Sequence, residues 1–240
     1  MKQFMQAGAV CLVGALLAAC AHNSPYEPAD PLEVVNRPIF AFNQTADKYV
    51  LRPVTLGYVA VVPSPVRGSV SNFFDNLTYP TVIINDLLQA KFVQSGKDLT
   101  RLLLNTTFGL AGFFDPATMV GLHKNDEDLG QTLGHWGVGE GWYLMLPLLG
   151  PSTNRDLVGL VGDNWTGPLQ YVEELDTTDR IVIFAAQSVD NRSHLLDLDS
   201  LLAQQLDPYL FVRTAYLQSR LNDIYDGNVP DDLLDLGLPE

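Results

Sequence analysis

The sequence predicts an all-α fold, on three observations. Apolar residues recur at three-to-four-residue spacing in several long segments, which is the periodicity of one helix face. Glycine and proline clusters separate these segments and supply the joints between helices. No series of alternating apolar and polar residues indicates a sheet, and no segment is repeated within the 240 residues. We therefore expect a single helical domain with Gly/Pro-rich connections.

The chain opens with a segment typical of secretion signals. Lys2 precedes an apolar run of 13 residues, Ala7 to Ala19, and Cys20 follows it. This order is that of a signal peptide, and the run is shorter than the roughly 20 residues that span a bilayer. Leu17-Ala18-Ala19-Cys20 resembles a bacterial lipobox. It predicts removal of residues 1–19 and a diacylglycerol and an N-acyl chain on Cys20. The alternative is an ordinary signal peptide that contains a cysteine.

The anchor predicts a location and a division of the chain. By resemblance to Gram-negative lipoproteins, Ala21 in place of aspartate predicts the outer membrane, with the protein on its periplasmic leaflet. Several acyl chains together suffice for stable anchoring. Residues 20–29 would form a lipidated tether, residues 30–221 the helical domain and residues 222–240 an acidic tail.

The sequence of the first half of the domain predicts helices that are joined at prolines. Asn36 is placed to cap a helix that extends to about Val50 and is ended by Pro53, with a connector over residues 54–65. Ser64 and Pro65 are typical of a helix start, and Pro80 would start another helix. A segment from Phe92 to Thr107 places four residues on one face: Leu99, Leu102, Leu103 and Thr106.

Three further helices are predicted towards the C-terminus. One begins near Thr153 and ends by Trp165. A second is capped by Thr178, and a third starts at Asp207-Pro208.

Two apolar stretches beside glycines are candidates for contact with lipid. The first covers residues 108–114 and the second residues 142–149, and each is either core or apolar surface inserted into a bilayer. The candidate lipid-contacting residues are Phe113, Phe114, Trp142, Leu144 and Leu146. Between the stretches, residues 130–141 hold five glycines, a density that permits positive φ and hinge motion.

The charge excludes some functions and suggests a partner. With 14 basic and 28 acidic residues, the chain lacks the basic surface that nucleic acids require. Residues 154–240 hold 16 acidic and 5 basic residues, so we expect this half to attract a basic partner. Cys11 lies in the signal and Cys20 carries lipid, so the mature chain has no free thiol for a disulfide, a metal or catalysis.

The sequence holds no motif for catalysis or for a metal. It has no His-Glu-x-x-His, no Gly-x-Ser-x-Gly and no phosphate-binding loop. His123 stands near three carboxylates, but a solvated charged loop is the simpler interpretation. His194 and Asp197 are spaced as a surface pair on a helix. We therefore expect no enzyme and no metal site.

Many short blocks, in one order, resemble the MlaA (VacJ) lipoprotein family. They extend over about residues 30–220 and are most specific in the middle of the chain. The blocks include Asp30-Pro31-Leu32-Glu33, Arg52-Pro53-Val54, Asn72-Phe73-Phe74-Asp75-Asn76-Leu77, Asn105-Thr106-Thr107-Phe108-Gly109, Asp128-Leu129-Gly130-Gln131-Thr132-Leu133-Gly134, Trp136-Gly137-Val138-Gly139, Leu149-Gly150-Pro151-Ser152 and Asp207-Pro208-Tyr209.

The resemblance implies a ring-shaped helical domain embedded in one leaflet, with an amphipathic channel for phospholipid. Phospholipid misplaced in the outer leaflet would pass to a periplasmic MlaC-like carrier, beside a trimeric porin. The resemblance assigns residues 137–141 to a mobile hairpin with hinge glycines Gly137, Gly139 and Gly141. It assigns Phe42 and Asn43 to seating the domain in the membrane. Trp142 departs from the proline usual in the family, and this departure would either stiffen the hairpin or deepen its insertion.

Three functions from different classes follow. The first is a phospholipid-transport lipoprotein with no cofactor and with phospholipid as cargo. The second is a non-catalytic lipoprotein that scaffolds porins or the envelope. The third is a lipid hydrolase, which would need a serine, histidine or carboxylate set brought together by the fold.

Overall fold

The computed structural model describes residues 30–234, and it confirms the all-α class. The α-helices are α1 (Glu33–Ala46), α2 (Arg52–Val61), α3 (Ser64–Leu88), α4 (Phe92–Thr107), α5 (Pro116–Met119), α6 (Leu129–His135), α7 (Asn154–Thr166), α8 (Thr177–His194), α9 (Asp199–Ala203), α10 (Pro208–Ile224) and α11 (Asp231–Leu234). Short 3₁₀ turns cover Pro168–Tyr171 and Leu196–Leu198. Within residues 30–234, no helix is both long and apolar enough to traverse a bilayer.

Both predicted ends of the first helix are wrong. Asn36 is buried inside α1 and does not cap it. Pro53 does not stop the helical path, because the backbone widens into a π-helix over Asp47–Leu51 and resumes as α2 at Arg52. A wider turn accommodates a proline that would otherwise clash with the carbonyl four residues before it. Most of the predicted connector is therefore α2.

Pro80 also fails to start a new helix. It lies inside α3, whose 25 residues continue to Leu88. Tyr79 and Val82, on either side of the proline, are both buried, so packing holds the helix across the missing hydrogen bond. The helix starts near Ser64, Phe92 and Pro208 agree with the prediction. The cap of α8 is Asp176, which forms a capping box with Asp179, and not Thr178.

A two-stranded antiparallel hairpin follows residues 137–141, the segment that the resemblance assigned to a hairpin; those residues form no strand themselves. Strand β1 (Tyr143–Leu146) pairs with β2 (Gly150–Thr153), with Tyr143 opposite Thr153 and Leu146 opposite Gly150. Positive φ values at Leu148 and Gly150 close the turn. Strands of four residues are too short to give a clear alternation in the sequence.

The described residues form two compact units. Unit 1 contains residues 30–43, 128–162 and 206–234, and unit 2 contains residues 44–127 and 163–205. The core of unit 1 is a small aromatic cluster of Tyr143, Met145 and Tyr209. In unit 2, α3 packs along α4 and α2 packs against α8.

Candidate functional site

Helix α1 holds the hairpin through two asparagine amides, both within unit 1. Asn36 donates Nδ2 to the carbonyl of Tyr143 at 3.0 Å and accepts the Met145 amide at 2.9 Å. Asn43, two turns later, repeats this at the turn, with 2.8 Å to the Leu146 carbonyl and 2.8 Å from the Leu148 amide. Each amide satisfies one donor and one acceptor, as a neighbouring strand would. The two side chains together clamp the outer edge of β1 to α1.

The structure thus separates the two residues assigned to membrane seating. Phe42 projects from α1 and is 53% exposed. Asn43 is half-buried and is engaged with the hairpin turn. Contact with lipid stays a prediction for both, and it is Phe42 whose exposed ring is suited to it.

The three predicted hinge glycines lie before the hairpin and have different surroundings. Gly137 has a φ of +83° and ends α6, with its amide bound to Gly134 and the next amide, of Val138, bound to Leu133. This is the Schellman arrangement of a helix C-terminus, in which glycine is favoured. Gly141 has a φ of +73°, and a Cβ there would lie 2.8 Å from the Cβ of Asn154. Gly139 is exposed between them.

The apolar stretch after these glycines divides between interior and surface. Tyr143 and Met145 are buried, whereas Leu144 and Leu146 point to the other face of β1 and are half-buried. Trp142 is 40% exposed. Its backbone exchanges hydrogen bonds with Asn154, at 2.9 Å to the side chain and 3.1 Å from the amide. The stretch is therefore partly core, and the exposed side chains remain candidates for lipid contact.

A buried ion network in unit 1 holds α6, α7 and α10 together. Arg220 binds Asp128 through two hydrogen bonds, at 2.6 and 2.9 Å, and also binds Asp156 at 2.9 Å. Tyr216 donates to the other oxygen of Asp156 at 2.7 Å. Burial alone would raise the pKa of Asp156, but the charges of Arg155 and Arg220 bring that pKa below its usual value.

Two glycines bring these helices into backbone contact. A Cβ on Gly159 of α7 would lie 2.4 Å from the backbone nitrogen of Gly130 in α6. No side chain fits at that distance, so Gly159 is required for the close approach. The ion network and this contact fix the elements on which the hairpin rests.

In unit 2, the loop of residues 108–114 exposes its apolar side chains. Phe108, Leu110, Phe113 and Phe114 are all exposed, so the reading as a buried turn does not hold for them. Phe113 stacks on Phe73, with 5.0 Å between ring centroids. Gly112 has a φ of +96°, and a Cβ there would lie 2.4 Å from the Cβ of Asn76, so glycine holds the loop against α3.

Helix α4 is inverted in polarity: it buries polar side chains and exposes apolar ones, the reverse of a helix in a water-soluble protein. Its buried residues are Ser95, Asp98, Arg101 and Asn105. Leu99 and Leu103, on the stripe that the sequence marks as apolar, are 47% and 56% exposed. An interior of polar groups under an apolar exterior is what a lipid environment favours, because water does not drive the leucines inward there.

The following loop satisfies the polar face of α4. Asn105 donates to Asp115 at 3.1 Å and accepts the amide of Ala117 at 3.1 Å. Arg101 binds Asp115, Thr118 (2.9 Å) and the carbonyl of Leu122. Burial would raise the pKa of Asp115, but hydrogen bonds from Thr118 and Arg101 lower it.

A serine, a histidine and an aspartate do converge in unit 2, but not in hydrolase geometry. Ser71 Oγ lies 3.0 Å from Nε2 of His194, and the same nitrogen lies 3.8 Å from Asp190. In a catalytic triad, one ring nitrogen of the histidine contacts the serine and the other contacts the aspartate. The Ser71 hydroxyl already donates to the carbonyl of Arg67 at 3.1 Å. The predicted pairing of His194 with Asp197 is replaced by pairing with Asp190.

The charged loop after His123 is less solvated than expected. Glu127 is buried and binds Lys91 at 2.8 Å and Gln89 at 2.7 Å. Among residues 30–234, no group of three or more histidines and carboxylates is placed to hold a metal ion. Cys20, the tether and residues 235–240 of the predicted tail lie outside the described residues.

The clamp and the inverted helix are the features that sequence reasoning missed. Asn36 and Asn43 are seven residues apart and so share one helix face, which was the available signal. Ser95, Asp98, Arg101 and Asn105 also form a stripe at helical spacing. The periodicity of α4 thus marks two faces and does not say which one is buried.

Comparison with known proteins gives consistent matches over most of the chain. The sequence model of the MlaA lipoprotein family matches residues 28–223. The intermembrane phospholipid transport system lipoprotein MlaA of Escherichia coli K12 is 37% identical over 220 residues, 89% of this chain and 86% of that protein. Its namesake in Haemophilus influenzae is 33% identical, over 91% of this chain and 92% of that protein.

An uncharacterized protein of Rickettsia bellii is 35% identical over 82% of this chain and 78% of its own length. A solved structure, from work on the structural basis for maintenance of bacterial outer membrane lipid asymmetry, covers 83% of this chain and all of the solved chain. Its TM-score is 0.74 and its sequence identity is 36%.

Proposed function

The chain belongs to the MlaA lipoprotein family, and we propose that it is the phospholipid-transport lipoprotein of a Gram-negative outer membrane. In this proposal, Cys20 anchors it to the periplasmic leaflet. The domain takes phospholipid misplaced in the outer leaflet through an amphipathic passage and delivers it to a periplasmic carrier of the MlaC type. A trimeric porin would hold it in place. The result would be an outer leaflet kept low in phospholipid.

The observation that carries the proposal is the inverted polarity of unit 2. The apolar residues exposed on α4 and on the loop after it include Phe92, Val93, Leu99, Leu103, Phe108, Leu110 and Phe114. Fully burying one such side chain is worth about 1.5–3 kcal/mol. Exposure of this many in water would be costly, and contact with acyl chains would remove that cost. Each buried polar side chain of α4 meanwhile has at least one hydrogen-bond partner, as a lipid-embedded domain favours.

The transport step is tested by measuring the outer leaflet. Deleting the gene should raise the amount of phosphatidylethanolamine that a membrane-impermeant amine reagent labels on intact cells, and the wild-type gene should restore the low level. An unchanged outer leaflet would contradict transport and favour the scaffold function. Loss of porin assembly in the deletion strain, with normal labelling, would be the signature of a scaffold.

The hinge is tested most sharply at Gly139. Gly137 caps α6 and Gly141 is packed on Asn154, so changes at either would also disturb the fold. Gly139→Val stiffens an exposed segment. We expect normal thermal stability but failure to lower outer-leaflet labelling. Gly96→Val, with open space around a glycine on the exposed part of α4, is the control and should complement fully. Full complementation by a folded Gly139→Val protein would contradict the hinge.

A further inference from the structure

Two aspartates face each other inside unit 2. Asp86 of α3 and Asp98 of α4 are both completely buried. One amide group bridges them, because Nδ2 of Asn125 lies 3.4 Å from Asp86 Oδ1 and 3.0 Å from Asp98 Oδ2. Gln94 adds a second donor to Asp98 at 2.9 Å. The proposed function uses none of these residues.

The remaining oxygens of the pair lack donors. Asp86 Oδ2 and Asp98 Oδ1 are fully buried, and among the described residues neither accepts a hydrogen bond from an N–H or O–H group. Because one nitrogen of Asn125 contacts an oxygen of each, the two carboxyl groups lie side by side. Two ionised carboxylates at that distance repel, whereas one proton between them makes a hydrogen bond and removes one buried charge.

We propose that Asp86 and Asp98 share a single proton in the folded protein at neutral pH, and that its loss loosens residues 122–127 from α3 and α4. The bridging Asn125 belongs to this segment, and its backbone N–H donates to the hydroxyl of Tyr79 at 3.4 Å. Two negative carboxylates would repel across the α3–α4 contact, which is the main helix packing of unit 2.

The charged groups around the pair favour the protonated form. Asp98 faces Asp86 from α4, and Glu127 faces it from the segment of residues 122–127. The charge of Lys91, between the two helices, lowers the pKa of Asp86, but Lys91 is bound to Glu127. Arg101 of α4 is engaged with Asp115. Burial, with the hydrogen bond and the charge of Asp98, raises the pKa of Asp86 to about 8.

The sign of the pH effect follows from this direction. The pKa of Asp86 is higher in the folded chain than its ordinary value of 3.8, so folding takes up a proton that the unfolded chain has released. The stabilisation is complete below the unfolded value and is lost as the pH rises to about 8. Within that window the unfolding constant should rise about tenfold per pH unit from this group alone. A carboxylate paired with a cation, whose pKa is lowered, gives the opposite trend.

The experiment compares urea unfolding of the full mature chain in detergent between pH 5.5 and 9.5, for the wild type and for Asp86→Asn. Asparagine mimics the protonated acid, so the variant should lose the fall in stability that the wild type shows towards pH 8. Asp75→Asn is the control, because Asp75 is an exposed carboxylate bound to Lys124, and this variant should keep the wild-type trend. A wild type and an Asp86→Asn variant with equal slopes would overturn the proposal.

A second measurement keeps the proposal testable if Asp86→Asn does not fold. Infrared difference spectra of the wild type should show the C=O stretch of one buried carboxylic acid at pH 7, lost above pH 9. Absence of that band at pH 7 would overturn the proposal. Calcium chloride is the remaining probe. A cation that binds one-to-one and abolishes the pH trend would mean that the pair is a cation site and not a proton site.

Discussion

Units 1 and 2 are stabilised in different ways. Unit 1 has an aromatic core around Tyr143 and Tyr209 beside an arginine–aspartate network. Unit 2 buries the polar face of α4 and exposes its leucines. The centre of unit 1 is therefore apolar, whereas α4 and its loop are arranged as elements in contact with lipid would be. Which side chains are expected to be buried must therefore be argued separately for each unit, because one unit can be surrounded by water and a part of the other by lipid.

The largest expected effect comes from the ion network of unit 1. Arg220→Met would remove the cation bound to Asp128 and would break the buried pair with Asp156, which would keep Arg155. Removal of one partner of a buried pair costs about 3–5 kcal/mol. Lys124→Met is the matched control in unit 2, where the exposed pair with Asp75 is worth about 0–1 kcal/mol. Urea unfolding of both variants measures the difference, and similar losses would contradict it.

Replacing a glycine by alanine should change the free energy of unfolding in opposite directions at two sites, one in each unit. Gly159→Ala in α7 forces a methyl group against the backbone of Gly130 and should destabilise by about 1–3 kcal/mol. Gly57→Ala in α2 meets no atom within 4 Å and should stabilise by about 0.5–1 kcal/mol, since alanine has the higher helix propensity. Thermal unfolding gives both values. Destabilisation by Gly57→Ala would show that its site is not open.

The asparagine clamp should contribute less to stability than the ion network, and it should stabilise unit 1 alone. Asn36→Ala removes two hydrogen bonds to β1 at a buried site, with an expected cost of about 1–3 kcal/mol. Asn43→Ala, at a half-buried site, should cost about 1 kcal/mol. Hydrogen exchange of the Met145 amide should accelerate in Asn36→Ala while the amides of α3 and α4 remain unchanged. Equal exchange in variant and wild type would rule out a clamp.

The smallest effect on folding, and the largest on lipid binding, is expected on α4. Replacing both Leu99 and Leu103 by glutamine should change the free energy of unfolding by about 0.5 kcal/mol or less, because both side chains are exposed. Vesicle binding, measured with Cys20→Ser so that the anchor does not mask it, should weaken about tenfold or more. Met145→Gln in the core of unit 1 should lower the free energy of unfolding and leave vesicle binding by the folded protein unchanged.

Several elements could be predicted from local sequence alone. Ser64-Pro65 and Asp207-Pro208 mark helix starts because a proline in the first turn acts on neighbouring residues, and Asp207 also caps its helix whereas Ser64 makes no capping hydrogen bond. Pro53 and Pro80 misled the prediction because their effect depends on context. A π turn accommodates the first, and packing around Tyr79 and Val82 holds the helix at the second.

The candidate site was predicted in part. The apolar stretches and the glycines stand out in the sequence, but the partners of Asn36, Asn43 and Gly137 do not. Each depends on a residue elsewhere in the folded unit or on the end of a short helix. The proximity of Asp86 and Asp98, twelve positions apart on two helices, likewise exists only after α3 and α4 have packed.

The sequence by itself determined the helical class, the family and the presence of two-faced helices, because periodicity, capping and family motifs are local properties. The tertiary structure decided which face of α4 is buried, that residues 143–153 form a hairpin, and which polar groups meet inside each unit. The reason is physical: a stripe of leucines has the same spacing whether water or lipid lies outside it. The packed loop that binds Asp98, Arg101 and Asn105 holds the polar face inward and so turns those leucines outward.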